Sequence, residues 1–226
     1  MRVGPLAALE RPEPAPPREV PLQRTPASRA ELRAALGRAE ARRTGRAPSE
    51  SFLNLVTAQA CLETGGGRSM YNFNFGGIKG SGPGGLTAVA GTHEYESGVR
   101  VRTRAHFRAY ASLDEGAGDF LSLLHRRYPA AVAAAERGDP DGYARALHQG
   151  GYFTAPEAHY ANGLRGLLGL PRRPEGTAPG APTEAPGGSP TAAGGMPFAT
   201  GAELSRVLDA LTMSAVRLAR PAEEEG

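Results

Sequence analysis

The chain has 226 residues, a formal net charge of +3 and one cysteine, a size that fits one domain with additional terminal segments. The lone Cys61 excludes an intramolecular disulfide framework and a cysteine-rich metal site. Residues 48–170 carry 11 basic and 11 acidic groups, so the positive excess comes from the ends and does not indicate a nucleic-acid partner.

The first segment, residues 1–27, contains seven prolines and little hydrophobic pattern, and we predict a disordered Pro-rich arm. It shows no signal peptide, which leaves the export route unknown. No stretch approaches the roughly 18 apolar residues of a membrane span, so none is predicted. At Ser28 the pattern changes, because Ser28 and Glu31 form a capping box that begins a helix running to about Arg43.

A second helix is predicted from about Ser49 to Thr64, with apolar residues on most of its circumference, which is typical of a buried helix. Glu63 ends this helix and is followed by a glycine run. Unpaired carbonyls disfavour an anion at a helix C-terminus, so we expect the pKa of Glu63 to be raised. Gln59 falls on the same helix face. Taken alone, this segment is equally consistent with a surface glutamate before a glycine stop.

A loop rich in glycine and aromatic residues follows at residues 71–86, and then the hydrophobic period changes to two. Residues 86–95 and 99–108 are predicted to form a β-hairpin with a turn at residues 96–98. The second strand has a basic face, which is consistent with an anionic polymer or simply with a solvated surface.

From Leu113 the helical pattern returns in several segments and ends in a helix before residue 170. Residues 171–199 form a predicted Pro/Gly-rich linker, residues 200–220 an amphipathic docking helix and residues 221–226 an acidic tail. The docking helix has three open alternatives: packing on the core, self-association or binding to a protein partner. The five histidines lack metal-ligand spacing, so we predict no metal and no cofactor.

Six segments stand out in order along the chain: AQACLETGGG at 58–67, NFNFGGIKG at 72–80, THEY at 92–95, FRAY at 107–110, RRY at 126–128 and GYFTAPEAHYANGL at 151–164. Together and in register they resemble glycoside hydrolase family 73, the bacterial endo-β-N-acetylglucosaminidases of the flagellar-muramidase and autolysin type. The resemblance implies a mainly α, lysozyme-like α+β fold, with a helical core and one small β-hairpin flanking the cleft. It also implies hydrolysis of peptidoglycan glycan strands at N-acetylglucosamine.

The resemblance assigns catalytic roles to Glu63 as general acid, Glu94 as second carboxylate and Tyr152 as an aromatic hydroxyl near the reacting centre. Cleavage of a glycosidic bond needs one protonated carboxyl and usually a second, ionised one. Glu94 is expected to ionise near Arg100 or Arg102. Like Glu96, Glu94 is also consistent with a surface charge.

Substrate contacts are expected from the following residues: Gln59, Tyr71, Asn72, Phe75 and Tyr160. Aromatic rings stack on sugar faces and amides bind acetamido groups. Tyr160 also competes with Tyr152 for the catalytic hydroxyl role. Two positions depart from the family pattern, because Gly66 stands where many members have tryptophan and Ala155 where they have aspartate.

Residues 28–170 are therefore predicted to be a peptidoglycan hydrolase domain acting on the β-1,4 bond of glycan strands at the cell wall, in the periplasm or outside the cell. Two alternatives stay open. A lytic transglycosylase would use Glu63 alone, and a wall-binding or scaffold module would use no catalytic residue.

Overall fold

The computed structural model describes residues 17–96 and 99–174 of the chain; the predicted helix at 200–220 and the acidic tail lie outside this part. Its elements are β1 (Arg18–Glu19), α1 (Arg29–Thr44), α2 (Glu50–Glu63), β2 (Leu86–Glu96), β3 (Val99–Arg108), α3 (Leu113–Arg127), α4 (Pro129–Glu136), α5 (Pro140–Gln149) and α6 (Glu157–Leu167). The predicted mainly α fold with a small β-hairpin is confirmed.

The first two helices begin where their caps predict. The Ser28 hydroxyl accepts from the Glu31 amide and the Glu31 side chain returns a bond to the Ser28 amide, which completes the capping box. The Ser49 hydroxyl accepts from the Phe52 amide at the start of α2. All α2 residues from Leu55 to Leu62 are buried, as the apolar circumference predicts. This helix carries Glu63 out of the core at its C-terminal end.

The predicted hairpin is formed by β2 and β3, which pair antiparallel. The register sets Glu94 opposite Val101, whereas Arg100 and Arg102 lie opposite Tyr95 and His93.

The disordered arm predicted up to residue 27 is wrong for its second half. Residues 18–27, which we call the N-terminal strap, begin with β1 in parallel pairing with β2. The strap continues along the loop after α2, where the amide of Thr25 donates to Met70 O and that of Ala27 to Gly67 O. Prolines suit this extended conformation, and the hydrogen-bond partners lie far along the chain, so local composition does not reveal them.

The strap also supports two residues with unusual backbone geometry. Asn72 and Phe73 have φ angles of 46° and 54°, which are unfavourable for residues other than glycine. The Asn72 amide donates to Gln23 O at 2.8 Å, and the Phe73 amide donates to Thr25 Oγ1 at 2.8 Å. These bonds fix the loop in a conformation that its own residues disfavour.

The predicted linker begins later than residue 171. The amide of Arg173 donates to Asn162 Oδ1 at 2.8 Å, and its guanidinium forms an ion pair with Asp141. Residues 171–174 therefore lie against α5 and α6. None of the helices in the described part of the chain combines the length and hydropathy of a membrane span.

Candidate active site

Glu63 is the last residue of α2, and its side chain is only partly exposed. Burial raises the pKa of Glu63 from 4.5 to about 8, although the hydrogen bond from the Tyr160 hydroxyl and the influence of the Tyr152 hydroxyl oppose this shift. The direction agrees with the prediction from the helix end. The largest cause is the loss of solvent around the carboxyl, which disfavours its anionic form.

Tyr160 provides the direct partner of this carboxyl. Its hydroxyl donates to Glu63 Oε1 at 2.9 Å from the first half of α6. The ring is almost fully buried and stacks on Phe153, with ring centroids 4.2 Å apart and an interplanar angle of 12°. The hydroxyl is therefore aimed at Glu63 by a ring that packing holds in place.

Tyr152 is the second tyrosine that the sequence assigns to this site. It is 4% exposed, and its ring meets that of Tyr128 edge-on at a centroid distance of 5.5 Å. A Cβ atom at Gly76 would lie only 2.8 Å from the Tyr152 hydroxyl, so this approach requires glycine. The structure therefore joins Glu63 and Tyr160 by a hydrogen bond, whereas the buried Tyr152 hydroxyl makes none with a described residue.

Three of the expected substrate contacts are placed differently. Gln59 is fully buried and accepts a hydrogen bond from the Tyr143 hydroxyl. Phe75 is fully buried and stacks on Phe120, so its ring has no surface to offer a sugar. Asn72 uses its amide to bind strap atoms, accepting from the Gln23 amide and donating to Pro21 O.

Tyr71 is the expected aromatic contact that does reach the surface, with 41% of the residue exposed. It directly precedes the two residues that the strap holds in left-handed conformations. Gly66, at the position of the family tryptophan, has φ +71° and open space around a Cβ atom.

Glu94 is placed by its backbone in β2, two residues before the strand ends at Glu96. The base of this hairpin is tied to α3 by Asp119, whose carboxylate accepts from Arg108 Nη1 and from the Tyr110 hydroxyl, each at 2.7 Å. From its sequence context Asp119 is an ordinary helix-start acid. Its burial is what identifies it as the hairpin anchor.

Sequence reasoning also missed Tyr143, which reads as one more apolar position of an amphipathic helix. In the structure it is fully buried in α5, and its hydroxyl reaches Gln59 in α2. The aligned polar Gln59 within an apolar helix was the available signal that a buried donor must lie opposite. Among the described residues, no group of three or more His, Cys, Asp or Glu side chains could hold a metal ion.

A carboxyl that keeps its proton near neutral pH, with hydroxyl donors ready for the anion, suits general acid catalysis. This chemistry belongs to glycoside hydrolases, the class of enzyme to which the chain belongs. The model of the Glucosaminidase family, described as mannosyl-glycoprotein endo-beta-N-acetylglucosaminidase, matches residues 41–169. The chain is a member of this family, which confirms the resemblance seen in the sequence.

Curated relatives include the peptidoglycan hydrolase FlgJ of Escherichia coli K12, which is 38% identical over 128 residues covering 51% of this chain and 38% of the relative. The FlgJ protein of Pseudomonas aeruginosa is 38% identical over 112 residues, covering 45% of this chain and 28% of the relative. The chain thus spans less than half the length of these relatives.

Two solved structures are also similar. A peptidoglycan hydrolase mutant from Sphingomonas sp. A1 is 30% identical, covers 62% of this chain and 92% of its own, and has a TM-score of 0.45. The catalytic domain of the autolysin Auto from Listeria monocytogenes is 24% identical and has a TM-score of 0.47. The match covers 64% of this chain and 85% of the autolysin domain.

Proposed function

We propose that this protein hydrolyses the glycan strands of peptidoglycan at the β-1,4 bond of N-acetylglucosamine, with Glu63 as general acid. The observation that carries the proposal is the partly buried carboxyl at the end of α2, whose pKa burial raises to about 8. Similar proteins named peptidoglycan hydrolase support this substrate, whereas the family description names a glycoprotein substrate.

In the proposed reaction, Glu63 donates its proton to the glycosidic oxygen as the bond from that oxygen to the anomeric carbon breaks. The electron pair of the broken bond stays on the leaving oxygen. The remaining Glu63 anion accepts from the Tyr160 hydroxyl, which already lies at hydrogen-bond distance. Loss of the proton in a partly buried site therefore leaves a carboxylate that is already partnered.

Glu94 is the proposed second carboxylate, either activating water or stabilising the positive charge at the anomeric carbon. It lies on the hairpin strand β2, separate from the helix that carries Glu63. Tyr152 is the proposed hydroxyl near the reacting centre. The exposed ring of Tyr71 is a proposed sugar platform. Gly66, where the family tryptophan is absent, has open space around a Cβ atom.

We further propose that the enzyme acts at the cell wall, in the periplasm or outside the cell, and that the strap belongs to the catalytic domain. The helix predicted at residues 200–220 remains a proposed site for a protein partner or for self-association. This proposal is tested by comparing the full chain with a variant in which the apolar residues Leu204 and Leu211 are both changed to Ser. The full chain should retain a bound protein partner or self-associate, and the variant should lose that binding.

The deciding experiment is digestion of purified peptidoglycan with mass analysis of the new chain ends. We expect reducing N-acetylglucosamine ends from the wild type and a rate about 10²- to 10⁴-fold lower for Glu63→Gln. Glu50→Gln is the matched control, because Glu50 lies on the same helix with an 82% exposed side chain. It should retain wild-type activity.

Other products would point elsewhere. Anhydro-muramic ends would identify a lytic transglycosylase, and cleavage of a mannosyl glycoprotein but not of cell walls would identify the substrate of the family description. Equal rates for the wild type and Glu63→Gln would remove the enzymatic role from Glu63 and favour a wall-binding module.

A further inference from the structure

The N-terminal strap pairs with the loop after α2 on both sides of Tyr71. The Thr25 amide donates to Met70 O at 3.0 Å, and the Asn72 amide donates to Gln23 O at 2.8 Å. Between these two bonds, Tyr71 forms an antiparallel bridge with the strap. The strap therefore fixes the backbone before and after the residue that we propose as the sugar platform.

Thr25 binds this loop through its side chain as well as its backbone. The residue is 8% exposed, and its Oγ1 accepts from the Phe73 amide at 2.8 Å. Phe73 has a φ angle of 54° and Asn72 one of 46°, both in the left-handed region that residues with a Cβ atom disfavour. A loop with two such residues keeps its conformation only when surrounding contacts favour it. The Thr25 hydroxyl is one such contact.

The glycine run after Glu63 is where the strap first meets the loop. Gly67 has a φ angle of +84°, and a Cβ atom there would collide with Ala27 O. The Ala27 amide donates to Gly67 O at 3.2 Å. Glycine is required at this position because the backbone of the strap passes directly against it. The contacts of the strap thus extend from Gly67 to Phe73 and enclose Tyr71.

This pairing leaves Tyr71 itself open to solvent. Tyr71 is 41% exposed, whereas Met70 and Asn72 on either side are 1% and 8% exposed. An aromatic ring on a backbone that is already fixed loses less conformational freedom when it binds a ligand. The arrangement therefore suits a preformed binding platform.

We propose that Thr25 is a positioning residue, which holds the loop carrying Tyr71 in the conformation that binds the glycan strand. The inference rests on the proposed function, with Tyr71 as the sugar platform. Because Thr25 is buried, it acts through the loop rather than on the sugar. Without its hydroxyl the loop populates the binding conformation less, and the apparent Kd rises as that population falls. Loss of one such hydrogen bond corresponds to about a tenfold change.

The measurement is co-sedimentation of the full chain with purified peptidoglycan. The chain carries Glu63→Gln as a background, chosen so that the wall is not cleaved while the bound fraction gives an apparent Kd. Thr25→Val keeps the shape of the side chain, removes the hydroxyl and should raise the Kd about tenfold. Thr25→Ser keeps the hydroxyl and should bind as tightly as the background protein.

Thr44→Val is the matched control. The Thr44 hydroxyl also accepts from a backbone amide, that of Arg46, and donates to Glu40 O at 2.9 Å. Thr44 is the last residue of α1, whereas the strap precedes the first residue of that helix. Thr44→Val should therefore leave the Kd unchanged.

Tyr71→Ala shows whether the effect of Thr25 passes through the platform. It should weaken binding at least as much as Thr25→Val, and the double variant should bind no more weakly than Tyr71→Ala alone. With Glu63 intact, Thr25→Val should raise KM and leave kcat close to the wild-type value, because the bond between Glu63 and Tyr160 joins α2 and α6. A purely structural defect would instead lower kcat through loss of folded enzyme.

Unchanged binding by folded Thr25→Val would overturn the proposal, as would an equal loss in Thr25→Ser or additive losses in the double variant. If Thr25→Val does not fold, Asn72→Asp replaces the donor to Pro21 O by an oxygen, and the same comparison with Tyr71→Ala decides.

The two proposals fail in different ways. A wild type that does not cleave peptidoglycan, although the variants show the expected binding pattern, would contradict the proposed function and leave this inference standing. A background protein that does not bind peptidoglycan at all would overturn the inference, because Tyr71 would then be no platform. Cleavage by the wild type together with unchanged binding by Thr25→Val would contradict only the role of Thr25.

Discussion

The Tyr160 hydroxyl donates to Glu63 Oε1 at 2.9 Å, although 97 positions separate the two residues in the chain. The bond joins the C-terminal end of α2 to α6. A partly buried carboxyl and its donor are thus assembled only when these helices have packed against each other. The proton-donating group is consequently a property of the folded domain rather than of the segment around Glu63.

Tyr160→Phe should raise the pKa of Glu63, because the anion loses its direct hydrogen-bond donor. The ring and its stacking on Phe153 remain, so the hydroxyl is the group removed. With Glu63 as the acid, wild-type activity should fall as the pH rises through about 8. In the variant we expect this alkaline limb of kcat/KM to move upward by about one unit. A limb that stays in place would contradict the role of Tyr160.

The same carboxyl should make stability depend on pH. The pKa of Glu63 is about 8 in the folded protein against 4.5 as its reference value, so the folded state binds more protons between these limits. Its contribution to the free energy of unfolding is therefore fully present below pH 4.5 and decreases as the pH rises towards 8. The slope is on the order of 1 kcal/mol per pH unit. Thermal unfolding measured from pH 4.5 to 8 should show this pH dependence of stability in the wild type but not in Glu63→Gln. Identical pH profiles for the two proteins would refute a buried, protonated Glu63.

Asp119→Asn should destabilise the base of the hairpin. Asp119 is buried and accepts from Arg108 and Tyr110, each at 2.7 Å, so the change leaves the guanidinium without its partner. We expect a loss of about 3 kcal/mol in urea unfolding. The matched control is Asp114→Asn, because Asp114 forms an exposed ion pair with Arg38 at 2.7 Å. The control should lose at most about 1 kcal/mol, and equal losses would show that Asp119 is not an anchor.

Glu94→Gln should lower kcat about 10²-fold if Glu94 is the second carboxylate. Glu96→Gln is the control, since it lies on the same strand two positions later. Glu96→Gln should keep kcat within a factor of about two of the wild type, because the same substitution is made at a residue with no proposed catalytic role. Kinetics on purified cell walls, with both proteins checked for folding, separate the two. A loss of kcat in Glu96→Gln but not in Glu94→Gln would assign the role of second carboxylate to Glu96, two residues further along β2.

The capped helices and the hairpin could be predicted because their signals are local: a capping serine, an apolar circumference and a period of two. The parallel pairing of Arg18 with Leu86 could not, since nothing near Arg18 specifies a partner so far along the chain. In the glycine-rich loop, exposed Tyr71 and buried Phe75 lie in the same aromatic pattern. Only packing against Phe120 distinguishes them. The resemblance assigned roles to Glu63 and Tyr152, whereas the buried position of Tyr143 required the fold.

The N-terminal strap lies wholly before residue 41, where the family match begins. Its strand β1 pairs with the first two residues of β2, Leu86 and Thr87, and forms one edge of the sheet there. A fragment starting at Ser28 would retain the complete family match. It would nevertheless expose the Leu86 end of β2 as an open edge, where unpaired backbone groups attract the strands of other molecules. The family match therefore begins after residues that this domain uses to pair the start of β2.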